Sequence, residues 1–140
     1  MLYFAYGMNT NPQEMARRCP GAVSMGHARL LDHSFRFSQH ADVEPCEDSF
    51  VDGVLWDINQ DHLQVLDLLE GYPHYYDRVV ASAVHQSRTY HVLVYRMQPG
   101  RENSPPTRGY YTLVQEGYRA HGVPPDQLEH SYNFSTTIFG

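Results

Sequence analysis

Leu2-Tyr3-Phe4-Ala5-Tyr6-Gly7-Met8-Asn9-Thr10-Asn11-Pro12-Gln13-Glu14 opens the chain and sets its architecture. Leu2 to Tyr6 is apolar and rich in aromatics, the pattern of a buried strand. Gly7 breaks it. Asn11 is a strong helix N-cap, Pro12 suits the first helical position, and Glu14 follows the cap by three residues. The spacing predicts a helix over 12–18, stopped by Cys19-Pro20-Gly21. The order is therefore strand, tight glycine turn, helix. Such a turn gathers the backbone N–H groups of residues 7–11 near a helix N-terminus, where they suit a carboxylate or a developing oxyanion. Many strand-turn-helix junctions share this form. No GxGxxG or GxxxxGK[ST] occurs, so nucleotide binding has no support.

Outward from this stretch, residues 22–38 predict two strands. Val23, Met25, Ala28 and Leu30 supply the first, and Phe35 and Phe37 alternate with polar neighbours in the second. The acidic run 39–49, with Asp42, Glu44, Pro45, Glu47 and Asp48, predicts an exposed loop. Phe50 to Ile58 is a strong strand. Asn59 then caps a helix over 60–70 with an apolar stripe of Leu63, Leu66 and Leu69, ended by Gly71 and Pro73. Val79–His85 and Thr89–Met97 are two further strands joined at Gln86-Ser87-Arg88. Residues 98–106 form a loop, and a helix over 107–121 stops at Gly122 and Pro124-Pro125. Asp126-Gln127-Leu128-Glu129 reads as a second, short helical start. At least six strands and two substantial helices in 140 residues make one α+β domain spanning 1–140.

Composition narrows the chemistry. All ten basic residues are arginines. The absence of lysine excludes a Schiff-base lysine, a phosphate-loop lysine and a Ser-Lys pair. Net charge is −6 with histidines neutral, and the nine histidines would carry it to +3 if all were protonated. A sequence pI near 5.8 gives no basic face for nucleic acid. No apolar run approaches the roughly 20 residues of a membrane span. The first positive side chain is Arg17, so no secretory leader is expected and a reducing cytoplasm is the expected location. Cys19 and Cys46 are too few for a disulfide framework or a cysteine zinc site, and stand as two thiols or one disulfide. Cys19 suits a packed thiol, and acidic neighbours disfavour a thiolate at Cys46. His62, His74, His85, His91 and His121 lack ligand spacing within one helix and no HExxH occurs, so no metal site is expected and these histidines are assigned to the surface or a pocket rim.

Glu70 stands out. It lies at a helix C-terminus, where a negative charge opposes the helix dipole. It also falls seven residues after Leu63 and four after Leu66, on the apolar face. A carboxylate held there has a raised pKa, as a general acid or base near neutral pH requires. Alternatively the helix ends one residue earlier and Glu70 turns to solvent.

At these places the sequence resembles the γ-glutamylcyclotransferase family and its wider AIG2-like group. Tyr3-Phe4-Ala5-Tyr6-Gly7-Met8-Asn9 is similar to the family's opening Y-F-A-Y-G-S-N. Arg18-Cys19-Pro20-Gly21-Ala22, Gly26-x-Ala28-x-Leu30, Val51-Asp52-Gly53-Val54-Leu55-Trp56, Leu66-Asp67-x-x-Glu70-Gly71, Tyr76-x-Arg78 and Tyr110 with Gly117, Gly122 and Pro124 follow in the family's order. The resemblance covers roughly residues 2–130. It implies a small mixed β-barrel with a few peripheral helices and a cavity between the first loop and the glutamate. It also implies Glu70 as general base and acid, with Gly7, Met8, Asn9 and Thr10 holding substrate largely through backbone N–H groups. Tyr6, Tyr76 and Tyr110 would line the pocket.

The implied reaction is an intramolecular cyclisation of a γ-glutamyl small molecule to 5-oxoproline, with no metal or cofactor. Met8 departs from the family, which commonly has a small hydroxyl residue there. If that hydroxyl binds substrate, its loss removes roughly 1 kcal/mol, which touches substrate preference more than reaction type. A non-catalytic ligand-binding or interaction domain of the same fold is the alternative, since small barrels serve many purposes. The leaving amine and the oligomeric state are not encoded in any motif.

Overall fold

The computed structural model describes residues 1–139, with side-chain surroundings through Thr137. Its strands are β1 Leu2–Ala5, β2 Val23–Ser38, β3 His40–Asp57, β4 Tyr76–His85 and β5 Arg88–Met97. Its helices are α1 Pro12–Arg18, α2 Gln60–Leu69, α3 Arg108–His121 and α4 Asp126–Phe139, and a single 3-10 turn spans Met8–Thr10. The strands close into a barrel in the order β1-β3-β2-β4-β5. Among these strand pairings the β1–β5 contact, at Tyr3 opposite Leu93, is parallel and the others are antiparallel. Phe4, Leu30, Val51, Leu55, Val94 and Leu66 are buried in the core this closure creates.

The N-terminal signals act as expected. The Asn11 side chain accepts hydrogen bonds from the Gln13 and Glu14 N–H groups, and Pro12 opens α1. The Asn59 side chain accepts from the His62 N–H, and the His62 ring returns the bond to the Asn59 N–H.

Several expectations are corrected. The two strands over 22–38 are one, bent at irregularities between Ser24 and Gly26 and between Leu31 and His33. The acidic loop over 39–49 is instead the first half of β3. Ala41, Asp42 and Val43 are buried there, while Glu44 to Asp48 are exposed. Asp42 is tolerated inside because Arg36 Nε donates to its Oδ2 at 2.8 Å and the Met97 N–H to its Oδ1 at 2.8 Å. A fully bonded buried carboxylate escapes the cost of an unpaired one. The short helical start after Pro125 extends into the 14-residue α4, which packs Leu128 inward. Leu69 does not complete an apolar stripe, being 51% exposed while Leu66 is fully buried. Cys19 is buried and Cys46 exposed, both as free thiols.

Two close approaches need glycine. A Cβ on Gly53 would stand 2.3 Å from the Ala5 carbonyl oxygen and 2.5 Å from Phe4 Cζ, so β1 lies tight on β3. A Cβ on Gly117 would stand 2.3 Å from Thr10 Oγ1 and 2.6 Å from the Asn11 nitrogen. Gly117 thereby lets α3 press directly on the segment that follows β1.

Candidate active site

The segment after β1, the end of α2 and the starts of β3 and β4 surround a cavity of about 220 Å³. Glu70 lines it. The α2 helix ends one residue before Glu70, which is its C-cap, with the Glu70 N–H donating to the Leu66 carbonyl at 2.8 Å. Buried Leu63 and Leu66 hold the helix against the barrel. Asp67 ties its last turn to the sheet: it pairs with Arg78 and accepts from the Tyr95 hydroxyl at 2.6 Å. Gly71, at φ +64°, turns the chain away, and the Tyr76 N–H returns to the Glu70 carbonyl at 3.3 Å. Glu70 therefore does not turn out to solvent. It is partly buried, and desolvation pushes its carboxyl up to about 7 against the opposing pull of Arg18.

One side chain addresses this carboxylate directly. Arg18 Nη1 donates to Asn9 Oδ1 at 2.9 Å. A guanidinium has only donors, which fixes the Asn9 amide with its NH₂ turned inward. That NH₂ donates to the Tyr3 hydroxyl at 3.0 Å and to Glu70 Oε1 at 3.4 Å. Asn9 is itself held by Trp56 Nε1, which donates to its carbonyl at 3.0 Å.

Much of the remaining wall is phenolic. Tyr3, Tyr6, Tyr75, Tyr76, Tyr95 and Tyr110 all line the cavity. The Tyr6 hydroxyl donates to the Tyr95 carbonyl at 2.6 Å, and the Tyr76 hydroxyl to the Ala41 carbonyl at 2.7 Å. The Ala41 N–H donates to the Tyr110 hydroxyl at 3.0 Å. Burial pushes these phenols up, and the nearby Glu70 charge adds to the effect at each. They remain neutral at physiological pH and act as hydrogen-bonding groups rather than bases.

Of the residues singled out in the sequence, Glu70, Tyr6, Gly7, Met8, Asn9, Tyr76 and Tyr110 meet at this cavity. Thr10 does not line it: the side chain is fully buried under Gly117, and its hydroxyl donates to the Gly7 carbonyl at 2.7 Å. Sequence reasoning missed Tyr3, Arg18, His40, Tyr75 and Tyr95. Tyr3 and Tyr95 look like ordinary strand aromatics. Arg18 carries a readable signal, since the predicted α1 places it one turn past Glu14 and ends beside the glycine turn. His62 and His85 are buried rather than superficial. His62 Nε2 lies 2.7 Å from the Pro20 carbonyl and His85 Nδ1 3.0 Å from the His27 carbonyl. Among the described residues, no group of three His, Cys, Asp or Glu side chains is placed to hold a metal ion, and no helix is long and apolar enough to cross a membrane.

A closed α+β barrel with one carboxylate in a tyrosine-lined cavity defines the class. The family model described as gamma-glutamyl cyclotransferase, AIG2-like, matches residues 3–118, and the chain belongs to that family. Among solved structures it is similar to one titled gamma-glutamyl cyclotransferase, at 27% identity over 94% of this chain and 85% of that one, with a TM-score of 0.84. An uncharacterized protein from Homo sapiens is similar at 28% identity over 93% of this chain and 85% of that one, with a TM-score of 0.82. YkqA from Bacillus subtilis shares the fold at 20% identity, over 95% of this chain and 54% of that one, with a TM-score of 0.81. A search of curated proteins found no match.

Proposed function

We propose that the protein is a γ-glutamylcyclotransferase-type enzyme that converts a γ-glutamyl amino acid or γ-glutamylamine into 5-oxoproline and a free amine. The observation that carries this reading is the placement of Glu70. It is a carboxylate in a small cavity, hydrogen-bonded by Asn9 and pushed up to about 7, so both its forms are populated near neutral pH. A group that must take a proton and then return it works best in that range.

In this mechanism Glu70 removes a proton from the substrate's α-ammonium. The freed amine attacks the γ-carbonyl carbon of the same molecule and closes a five-membered lactam. Glu70 delivers its proton to the γ-amide nitrogen as the C–N bond breaks. The remaining extra proton on the attacking nitrogen also passes to the leaving amine, which departs as an ammonium. Because the nucleophile is part of the substrate, the enzyme has mainly to hold a folded-back conformer, and much of the entropic barrier is avoided. The backbone of the Gly7-Met8-Asn9 turn and the hydroxyls of Tyr3 and Tyr110, which accept from Asn9 and from the Ala41 N–H, supply donors for the substrate and the developing oxyanion. No step uses a metal, a cofactor, or a serine or cysteine nucleophile.

A panel of γ-glutamyl amino acids, γ-glutamylamines and glutathione, read by 5-oxoproline release, tests the reading. Release from at least one donor supports it. Binding without release from any donor assigns the fold to ligand capture instead.

A further inference from the structure

The cavity is smaller than the roughly 300–1,000 Å³ of pockets that enclose a drug-sized ligand. A γ-glutamyl group bound with its reacting carbon near Glu70 would take up much of that space, leaving whatever follows the γ-amide at the mouth. His40 and Tyr75 line that rim, with His40 Nδ1 2.9 Å from the Tyr75 hydroxyl. Arg101 does not line the cavity itself; it lines the neighbouring groove with Arg36, Asp42 and Gln98, and its guanidinium lies 4.0 Å above the Tyr75 ring centroid.

Arg101 is held there by its backbone. Arg36 Nη1 donates to the Arg101 carbonyl at 2.8 Å and to Asn103 Oδ1 at 2.9 Å. The Ser38 hydroxyl donates to the Glu102 carbonyl at 2.7 Å, and Ser104 and Phe37 are joined through their backbones at 3.1 Å. The segment 101–104 is thus strapped to the strand end that leads directly into His40. The neighbouring cations are already engaged. Arg36 pairs with Asp42, Arg96 bonds His33, and Arg18 bonds Asn9 and faces Glu14. Among the described residues the Arg101 side chain has no acidic partner within ion-pair distance, and it is exposed. Stacking on an aromatic ring leaves the N–H edge of a guanidinium available, and that edge matches a carboxylate.

We propose that Arg101 is a specificity-determining residue that reads a carboxylate on the leaving group, so that substrates releasing an amino acid are preferred over those releasing an uncharged amine. This rests on the cyclotransferase reading above.

The test compares γ-glutamyl-alanine with γ-glutamyl-alaninamide, which differ only in that carboxylate. The wild-type protein, Arg101→Gln and Arg101→Lys are assayed by 5-oxoproline release. The expected wild-type preference for the acid is about 5- to 30-fold in kcat/KM, the range for a charged contact at a wet rim. Arg101→Gln should erase that preference, chiefly through KM for the acid and with a much smaller change on the amide, and Arg101→Lys should restore part of it. Equal wild-type rates on the two donors, or an Arg101→Gln variant that slows both alike, overturn the assignment while leaving the cyclotransferase reading standing. Release from neither donor, with another γ-glutamyl donor of the panel turned over, overturns the assignment alone, and release from no donor of the panel overturns both.

Discussion

Glu70→Gln should make the protein more stable, and only above the acid range. The ordinary glutamate pKa of 4.5 is raised to about 7 here, mainly by burial. The folded protein therefore keeps this proton over a pH window in which the unfolded chain has lost it. Stability from this group is fully present below pH 4.5 and falls as pH rises through 7, because folding then buries a charge. Glutamine carries no charge at any pH, and its carbonyl still accepts from Asn9. The full shift bounds the gain at about 3 kcal/mol, and partial exposure of Glu70 reduces it to about 1–2 kcal/mol. For a domain of this size that is roughly 3–7 °C in Tm. Thermal unfolding of both proteins at pH 5, 7 and 8.5 is the assay. The curves should nearly coincide at pH 5 and separate at pH 8.5, with the variant higher. A difference that does not change with pH, or a variant less stable at pH 8.5, would refute the claim that Glu70 is a desolvated carboxylate.

Other consequences follow from neighbouring contacts. Arg18→Met removes the one cation that favours the ionised form of Glu70, so the acid limb of the kcat/KM profile should move to higher pH. An unmoved limb would show that Arg18 does not act on this carboxylate. Gly117→Ala places a methyl group 2.3 Å from Thr10 Oγ1 and 2.6 Å from the Asn11 nitrogen. It should cost about 2–4 kcal/mol in chemical denaturation and lower activity further by shifting Asn9. Wild-type stability in that variant would mean that α3 does not clamp the turn.

The parts of the fold that were legible in sequence are those governed by local chemistry. The Asn11-Pro12 cap, the Asn59 cap and the Gln86-Ser87 turn each leave a signature within a few residues. Glu70 was legible because helical periodicity placed a charge where an apolar residue belongs. The first half of β3 was not legible, because its acidic residues resemble a solvated loop. Asp42 is inside only through Arg36 and the Met97 backbone, partners 6 and 55 residues away. The cavity wall was half legible for a similar reason. Barrel closure brings Tyr3 and Tyr95 to the same space from strands 92 residues apart in the chain, ring to ring at 5.8 Å, and nothing local marks either as a pocket residue. Leu69 departs in the opposite direction: its spacing matches the core stripe, but the helix ends there and the side chain meets the cavity and solvent. The Arg101 strap depends on contacts with β2 more than 60 residues earlier and has no sequence signature.

The proposed cyclisation rests above all on Glu70 as the carrier of the proton. Its most direct test is 5-oxoproline release from γ-glutamyl donors by the wild-type protein and by Glu70→Gln, with the variant's fold checked by its thermal transition. Release by the wild-type protein and a loss of about 10²–10⁴-fold in the folded variant are expected. Turnover by the variant within a few-fold of wild type, or no release by the wild-type protein from any donor, would contradict the proposal.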